Sequence, residues 1–391
     1  MHISSLSLFR RLIGAASAFV MGVLLFSGQP TFAQQRPTPP PTPDTRLPTF
    51  ALPLTSLGYY MRIAPNELTL VLFNNQGFYR GVPDGDLTNI TLFDTLLGDP
   101  ILTLRGATDF ALDVVYTPDS AALVSYHQNG DLNIWDTTSG DLLRTVRTFY
   151  IDNFSRLYAT NDGERVIIFN RGVTAPSMIL NLTTGAVEQF IGLHYASLND
   201  LRVNSETFAS FGAETQFIGF AVAPDEARMY FANGNADIFR WDADGRELVV
   251  WREPDDKTAY EQSFAIRRMA FSPDGAIMVL SDELRGELRW IDVATGAVLG
   301  SISGIDLPAF ALSPDASHIA WVNRRAGAVY LAPLTPDAAP RLIATFDPSH
   351  QATPNTTLTF TADSSTLYIG GLSALSGSNA VYVIDLRGVE S

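Results

Sequence analysis

Between Asn66 and Asp363 short apolar runs alternate with polar clusters built from Pro, Asp, Asn and Gly. Four stretches show the phrase plainly: VVYTPDSAALVSYHQNGDLNIWDTTSG (114–140), FAVAPDEARMYFANGNADIFRWDADG (220–245), MAFSPDGAIMVLSDELRGELRWIDVATG (269–296) and FALSPDASHIAWVNRRAGAVYLAPLTPD (310–337). Within them the segments alternate or stay apolar for five or six residues, a strand pattern and not the 3.6-residue period of a helix. A Pro-Asp-Gly-type turn between two such runs predicts a hairpin, because Pro presets φ while Asp and Gly accept the unusual backbone angles that follow. Each phrase therefore predicts an antiparallel sheet of about four short strands.

Three less regular copies fill the gaps: IAPNELTLVLF leading to Phe93-Asp94, NDGERVIIF leading to Leu180-Asn181, and TADSSTLYI leading to Ile384-Asp385. The seven turn positions Asn66, Asp119, Asp162, Asp225, Asp274, Asp315 and Asp363 lie 53, 43, 63, 49, 41 and 48 residues apart. Such periods belong to radially repeated four-stranded sheets, so the expected fold is all-β, a seven-bladed β-propeller. Aligned on the Pro of its turn or the residue in that place, each inner strand carries bulky groups four and two positions upstream, for example Met61 and Ile63, or Met269 and Phe271. Three upstream stand smaller residues, Val115, Ala221, Ala270, Ala311 and Thr359, as a crowded axis requires. The last copy ends at its third strand near Leu386, whereas the apolar segment 47–57 belongs to no repeat. That segment is expected to supply the missing outer strand of blade seven and close the ring. Trp135, Trp241 and Trp290, read as equivalent positions of their repeats, are expected to pack between neighbouring blades.

The series Ser272-Pro273-Asp274-Gly275, then Trp290-Ile291-Asp292, then Ala294-Thr295-Gly296 resembles bacterial WD40 and YVTN-type β-propeller repeats. The resemblance covers nearly the whole chain from about residue 46, and it speaks to fold more than to function. No repeat carries the Gly-His dipeptide of regulatory WD40 proteins, so the Asp-His-Ser-Trp network of that family is not expected. The YVTN relatives include lactonases, which implies a propeller hydrolase as the alternative activity.

The N-terminus adds an address. Arg10-Arg11, the apolar run Leu12 to Phe26 and Thr31-Phe32-Ala33 predict a secretory signal over residues 1–33. Residues 34–45, rich in proline, form an extended linker, and 46–391 form the propeller. The predicted location is secreted or periplasmic, with no transmembrane segment after signal cleavage and with retention of the signal as an anchor left open. With no cysteine, disulfides, thiolate metal sites and a lipidated cysteine are excluded. A net charge of -15, with 26 Lys plus Arg against 41 Asp plus Glu, disfavours nucleic acid and anionic lipid as partners.

Candidate chemistry is sparse. His127, His194, His318 and His350 lie in different repeats without metal-ligand spacing, and neither a G-x-S-x-G motif nor a phosphate-cradling glycine loop is present. No cofactor, metal or catalytic residue is assigned. Loop length concentrates on the b–c and d–a connections, at 75–88, 192–215, 251–264, 347–356 and 371–379, which makes that face the expected binding surface. Gly370-Gly371 is read as a flexible point beside one of those loops. His194-Tyr195, Asp255-Asp256-Lys257 and Tyr260 are candidate loop contacts. Five positions upstream of each turn Pro stand Tyr60, Asp113, Arg156, Gly219, Arg268, Ala309 and Thr357. Of these Tyr60, Asp113, Arg156 and Arg268 are the candidate binding residues, with Arg62 one step inward, because arginine's planar fork suits carboxylates and phosphates. The competing account is that these groups pair with one another or with channel water. The expected function is a monomeric protein-interaction or ligand-binding module acting on a protein or small ligand.

Overall fold

The structure, a computed structural model, describes residues 49–51, 59–74, 90–148, 155–170, 177–191, 217–234, 236–243, 247–252, 266–306, 309–335, 339–374 and 380–387. The predicted signal and linker lie outside the described residues, as do 75–88, 192–215, 253–264 and 375–379. The described residues form twenty-eight strands in seven four-stranded antiparallel sheets and no helix. Six sheets are consecutive hairpins, so each blade runs a to d from the axis outward. The inner strands are Tyr59–Ile63, Ala111–Tyr116, Arg156–Ala159, Phe217–Val222, Ile266–Phe271, Ala309–Leu312 and His350–Phe360. In the seventh sheet Thr49–Ala51 pairs with Ala380–Asp385, Thr49 opposite Tyr382 and Ala51 opposite Ala380. The segment ahead of blade one thus provides the outer strand of the last blade, as the missing fourth strand required.

All seven a–b turns share one backbone solution. Glu67, Ser120, Gly163, Glu226, Gly275, Ala316 and Ser364, each just after the turn acid or Asn66, have positive φ of 55–72°. Each donates its N–H to the carbonyl three residues back, as in Ser120 to Thr117 at 2.8 Å and Gly275 to Ser272 at 2.8 Å. In five turns a hydroxyl two residues ahead of the acid donates to it: Thr117 to Asp119 (2.6 Å), Thr160 to Asp162 (2.5 Å), Ser272 to Asp274 (2.6 Å), Ser313 to Asp315 (2.5 Å) and Thr361 to Asp363 (2.7 Å). The acid of the Trp-Asp phrase caps the c–d turn instead. Asp136 accepts from the N–H groups of Thr138 and Ser139 at 2.8 and 2.7 Å, and Asp94, Asn181 and Asp292 repeat the arrangement.

The turns also speak to one another across blades. The side chain of the positive-φ residue accepts a backbone N–H from the turn of the preceding blade: Ser120 from Asn66 (3.0 Å), Glu226 from Asn161 (2.6 Å), Ser364 from Asp315 (3.3 Å), and Glu67 from Ala362. Where the preceding turn carries Pro118 or Pro224, with no N–H to offer, the ring packs beside Gly163 or Gly275 instead.

Burial is divided into seven wedges, each shared by two adjacent blades and none by three. The wedge between blades three and four is aromatic, with Phe169 stacked on Phe220 at 4.9 Å and Phe217, Phe231 and Phe239 around them. Trp135, Trp241 and Trp290 are all buried. They are not equivalent, however. Trp135 and Trp241 directly precede their acid and face the preceding blade, whereas Trp290 lies two before Asp292 and faces blade six with Trp321. A one-residue offset on a strand reverses the face; Ile291 takes the place that Trp135 and Trp241 hold.

Blade seven departs from expectation in one respect. Residues 347–356 and 371–374, read as loops, largely prolong its a–b hairpin: His350 pairs with Ala374, Gln351 with Ser373 and Ala352 with Leu372, before a bulge between Ala352 and Thr357. The two polar segments satisfy each other's backbone groups, so neither is left as a loop. Gly370 and Gly371 accordingly sit inside a strand. A Cβ on Gly370 would lie 2.7 Å from Met61 of blade one, so close packing at the ring joint, and not flexibility, accounts for the glycine. Likewise 251–252 end strand d of blade four, which begins at Glu247.

Candidate functional site

The seven positions five upstream of the turn occupy the same rung of every inner ladder. Tyr60 pairs with Phe73, Asp113 with Tyr126, Arg156 with Phe169, Gly219 with Ala232, Arg268 with Ser281, Ala309 with Val322 and Thr357 with Gly370. In blades two, four, five and seven an irregularity lies immediately before this rung, between Ala111 and Asp113, Phe217 and Gly219, Ile266 and Arg268, and Ala352 and Thr357. Bulges re-aim the residue that follows and end regular pairing. The ring tier thus follows a break in register in four blades.

Asp113 is buried and its carboxylate is fully engaged. One oxygen accepts from the Arg62 guanidinium at 2.8 Å and from the Val114 N–H at 3.0 Å; the other accepts from the Leu157 N–H at 3.0 Å. These donors belong to blades one, two and three. Asp113 is therefore a pin joining three inner strands, which corresponds to the pairing account of the ring at this residue.

The arginines behave differently. Arg156 of blade three lies with its guanidinium carbon 5.4 Å from the centroid of Tyr60 in blade one, reaching past the inner strand of blade two. Tyr60, itself buried, stacks on Phe73 at 5.3 Å and forms a rigid platform beneath the cation. Arg156 also donates to the Ser155 carbonyl at 2.9 Å. Arg268 of blade five has its pKa lowered to about 10, chiefly by burial, then by the like charges of Arg156 and Arg62, against the opposing influence of Tyr60 and Glu283. It stays protonated at neutral pH. Groups from blades one, three and five thus share one field across the axis, which no local motif announces. Arg62, only an accessory in the sequence reading, is the link between the pin and this cluster.

The remaining rungs are small or quiet. A Cβ on Gly219 would come within 2.6 Å of the Ile266 carbonyl, so that position is closed by backbone approach. The Thr357 hydroxyl is buried and has no hydrogen-bond partner among the described residues. Near the mouth Glu283 pairs with Arg267 at 3.3 Å, and burial raises its carboxyl pKa. Among the described residues no cluster of three or more His, Asp or Glu is arranged to hold a metal ion. His194, Tyr195, Asp255, Asp256, Lys257 and Tyr260 lie outside the described residues.

One network escaped sequence reading. In blade two the Trp135 indole N–H donates to Ser125 Oγ at 2.8 Å, Ser125 Oγ meets His127 Nε2 at 2.7 Å, and His127 Nδ1 meets the Asp109 carbonyl at 2.8 Å. A Trp-Ser-His relay therefore forms without a Gly-His dipeptide, because the histidine sits on strand b. The Ser-x-His spacing at 125–127 with Trp135 on the next strand was the available signal. Its buried imidazole is pushed toward the neutral form by desolvation, and the relay anchors the loop entering blade two.

No family model matches the chain, and no curated protein matches it. Among solved structures it is similar to the β-propeller domain of Cps50 (Swd1) from Myceliophteria thermophila, at 11% identity and a TM-score of 0.61, over 86% of this chain and 99% of that one. At this identity the likeness shows the fold alone: a β-propeller, here of seven four-stranded blades.

Proposed function

We propose that this propeller is a secreted or envelope-associated interaction module that recognises a protein or small ligand through its b–c/d–a face, centred on Tyr60, Arg156 and Arg268. The observation that carries this reading is the convergence of long polar side chains from three non-adjacent blades at one end of inner strands that are otherwise apolar. Among the described residues the opposite face carries short, internally hydrogen-bonded a–b turns, in five of which a neighbouring hydroxyl already engages the acid. The Arg10-Arg11 and Leu12 to Phe26 pattern supports export. A lactonase-type hydrolase needs an acid and a base within reach of each other at the mouth. Asp113 is the one carboxylate on the described rungs, and three donors already hold it, so the binding reading is preferred.

The test is capture from an envelope extract of the source cell with three proteins: wild type, the loop-face variant Tyr60→Ala/Arg156→Gln/Arg268→Gln, and the turn-face variant Asp225→Ala/Asp274→Ala. A species retained by wild type and the turn-face variant but lost from the loop-face variant supports the reading. Retention that depends only on the turn face overturns it.

A further inference from the structure

We propose that the axial mouth is a receptor site for a small oxyanion carrying two or more negative charges, a phosphate or a polycarboxylate, held by Arg156 and Arg268 with Arg62 beside them. The proposal rests on the loop-face reading above and names the chemistry of what binds there.

Charge is the first ground. Three guanidinium groups, Arg62, Arg156 and Arg268, bear on one another at the mouth, and among the described residues the rung tier holds one carboxylate, that of Asp113, which Arg62 pairs. The whole chain carries a net charge of -15. Like charges gathered where the dielectric is reduced raise the free energy of the empty site, and a multivalent anion relieves it. The depressed pKa of Arg268, with Arg156 as its largest charge-based cause, reports the same repulsion.

Donor chemistry is the second ground. Arg156 and Arg268 have further contacts of their own, and the proposal needs neither to be unpaired, since each guanidinium presents five N–H donors in a planar fork matched to an oxyanion. Arg156 is held over Tyr60, which fixes its plane. On the same rung Thr357 brings a buried hydroxyl with no hydrogen-bond partner among the described residues. A neutral sugar would want carboxylate acceptors, whereas the Asp113 oxygens are already taken by Arg62 and two backbone N–H groups.

Access is the third. Blades one, three and five contribute long side chains to this tier, while blades four and six contribute only Gly219 and Ala309. Three long groups can therefore meet over the axis without competing with side chains from the blades between.

The experiment is titration calorimetry at neutral pH with inorganic phosphate and, separately, citrate, each balanced to constant ionic strength with sodium chloride, and with acetate as the monovalent control. Saturable binding of phosphate or citrate but not acetate is expected, about tenfold or more weaker in Arg156→Gln/Arg268→Gln and partly restored in Arg156→Lys/Arg268→Lys, where charge is kept and the fork lost. Which of the two binds more tightly identifies the phosphate or carboxylate source. Unfolding curves of the Gln variant in chloride alone, matching those of wild type, show that the loss is not misfolding; a variant that melts early is replaced by the single Arg268→Gln. Absence of saturable binding by both probes, or binding unchanged in a folded Gln variant, overturns the proposal. If probes fail while partner capture still depends on the loop face, only the oxyanion assignment falls. Oxyanion binding with capture indifferent to that face would leave this site standing and remove the interaction reading.

Discussion

The hydroxyl-to-carboxylate bonds in the a–b turns contribute to the acid response of the molecule residue by residue. The Thr160 hydroxyl draws the pKa of Asp162 down to about 2, and the Thr361 hydroxyl does the same for Asp363, also to about 2. Both values lie below that of an unfolded aspartate, about 3.9. Their contribution is complete above pH 4 and is lost as pH falls through 4 toward 2, because the unfolded chain binds those protons first. His127 acts in the same direction at higher pH: its folded pKa is lowered by burial, so its contribution begins to fall away below about 6.5. The thermal midpoint measured against pH should therefore drop in two stages, and Thr160→Val/Thr361→Val should shrink the lower stage, to which Asp315 and Asp385 also contribute, while leaving the upper one in place. An unchanged lower stage in that variant would refute the assignment. Single glycines are equally open to test. Gly219→Ala must displace the Ile266 carbonyl and should cost about 1–3 kcal/mol in chemical unfolding. Gly300 is similar, since the Trp290 ring lies only 2.6 Å from the point where a Cβ would stand. The flipped Trp290 was not legible from its repeat because Trp290-Ile291-Asp292 and Trp135-Asp136 look alike, while a strand's two faces differ by a single residue.

At the scale of the element, the turn-to-turn contacts follow a rule that the chain obeys seven times. Where the residue before the turn acid is not proline, Asn161 or Ala362, the next blade answers with a glutamate, Glu226 or Glu67, that reaches its N–H. Where it is Pro65, Pro118, Pro224, Pro273 or Pro314, the next blade has Ser, Gly or Ala. The long acceptor stands only where the residue before the acid has an N–H to give; after Pro65 and Pro314 the N–H of the next residue is met by the short Ser120 or Ser364. Glu226→Gly alone should destabilise by about 0.5–1.5 kcal/mol, through the lost bonds from the Asn161 N–H and the Tyr158 hydroxyl. Asn161→Pro alone should also destabilise, by removing the N–H and setting a ring against Glu226. The double variant reproduces the Pro118/Gly163 joint and should recover the part of the loss that belongs to the Asn161 contact, a coupling of about 1 kcal/mol in a double-mutant cycle, while the Tyr158 bond stays lost. Additive losses would show that the two turns do not communicate. This joint was hidden in the sequence because its partners lie one blade apart, whereas the turns themselves were visible from four adjacent residues. The prolonged hairpin of blade seven was hidden for another reason: HQATPNTT at 350–357 is polar and contains Pro354, a loop signature by composition, and becomes a strand only because 371–374 is there to pair with it.

For the whole molecule, seven wedges replace a central core, so stability is held in the joints between blades and the ring must be complete for all of them to exist. The number of blades and the closing strand were legible because turn chemistry repeats locally and the tally of strands came up one short in the last repeat. The mouth was legible only as separate residues; that Arg156 reaches Tyr60, and that Arg62 and Arg156 bear on Arg268, depends on ladder register in three different blades. Deleting residues 46–57 removes the strand opposite Ala380 to Tyr382 and bares a sheet edge. The truncated protein should melt well below wild type and elute as aggregate in size-exclusion chromatography; a monomer of unchanged midpoint would show that closure is dispensable. The same strand has a consequence in time. Thr49 to Ala51 is made before any blade and can pair only after Ala380 to Tyr382 has been made, so the ring cannot close until synthesis has reached the last blade. Contacts this distant in the chain slow the search for the native state. A protease present during synthesis should therefore cut where the same protease spares the finished ring.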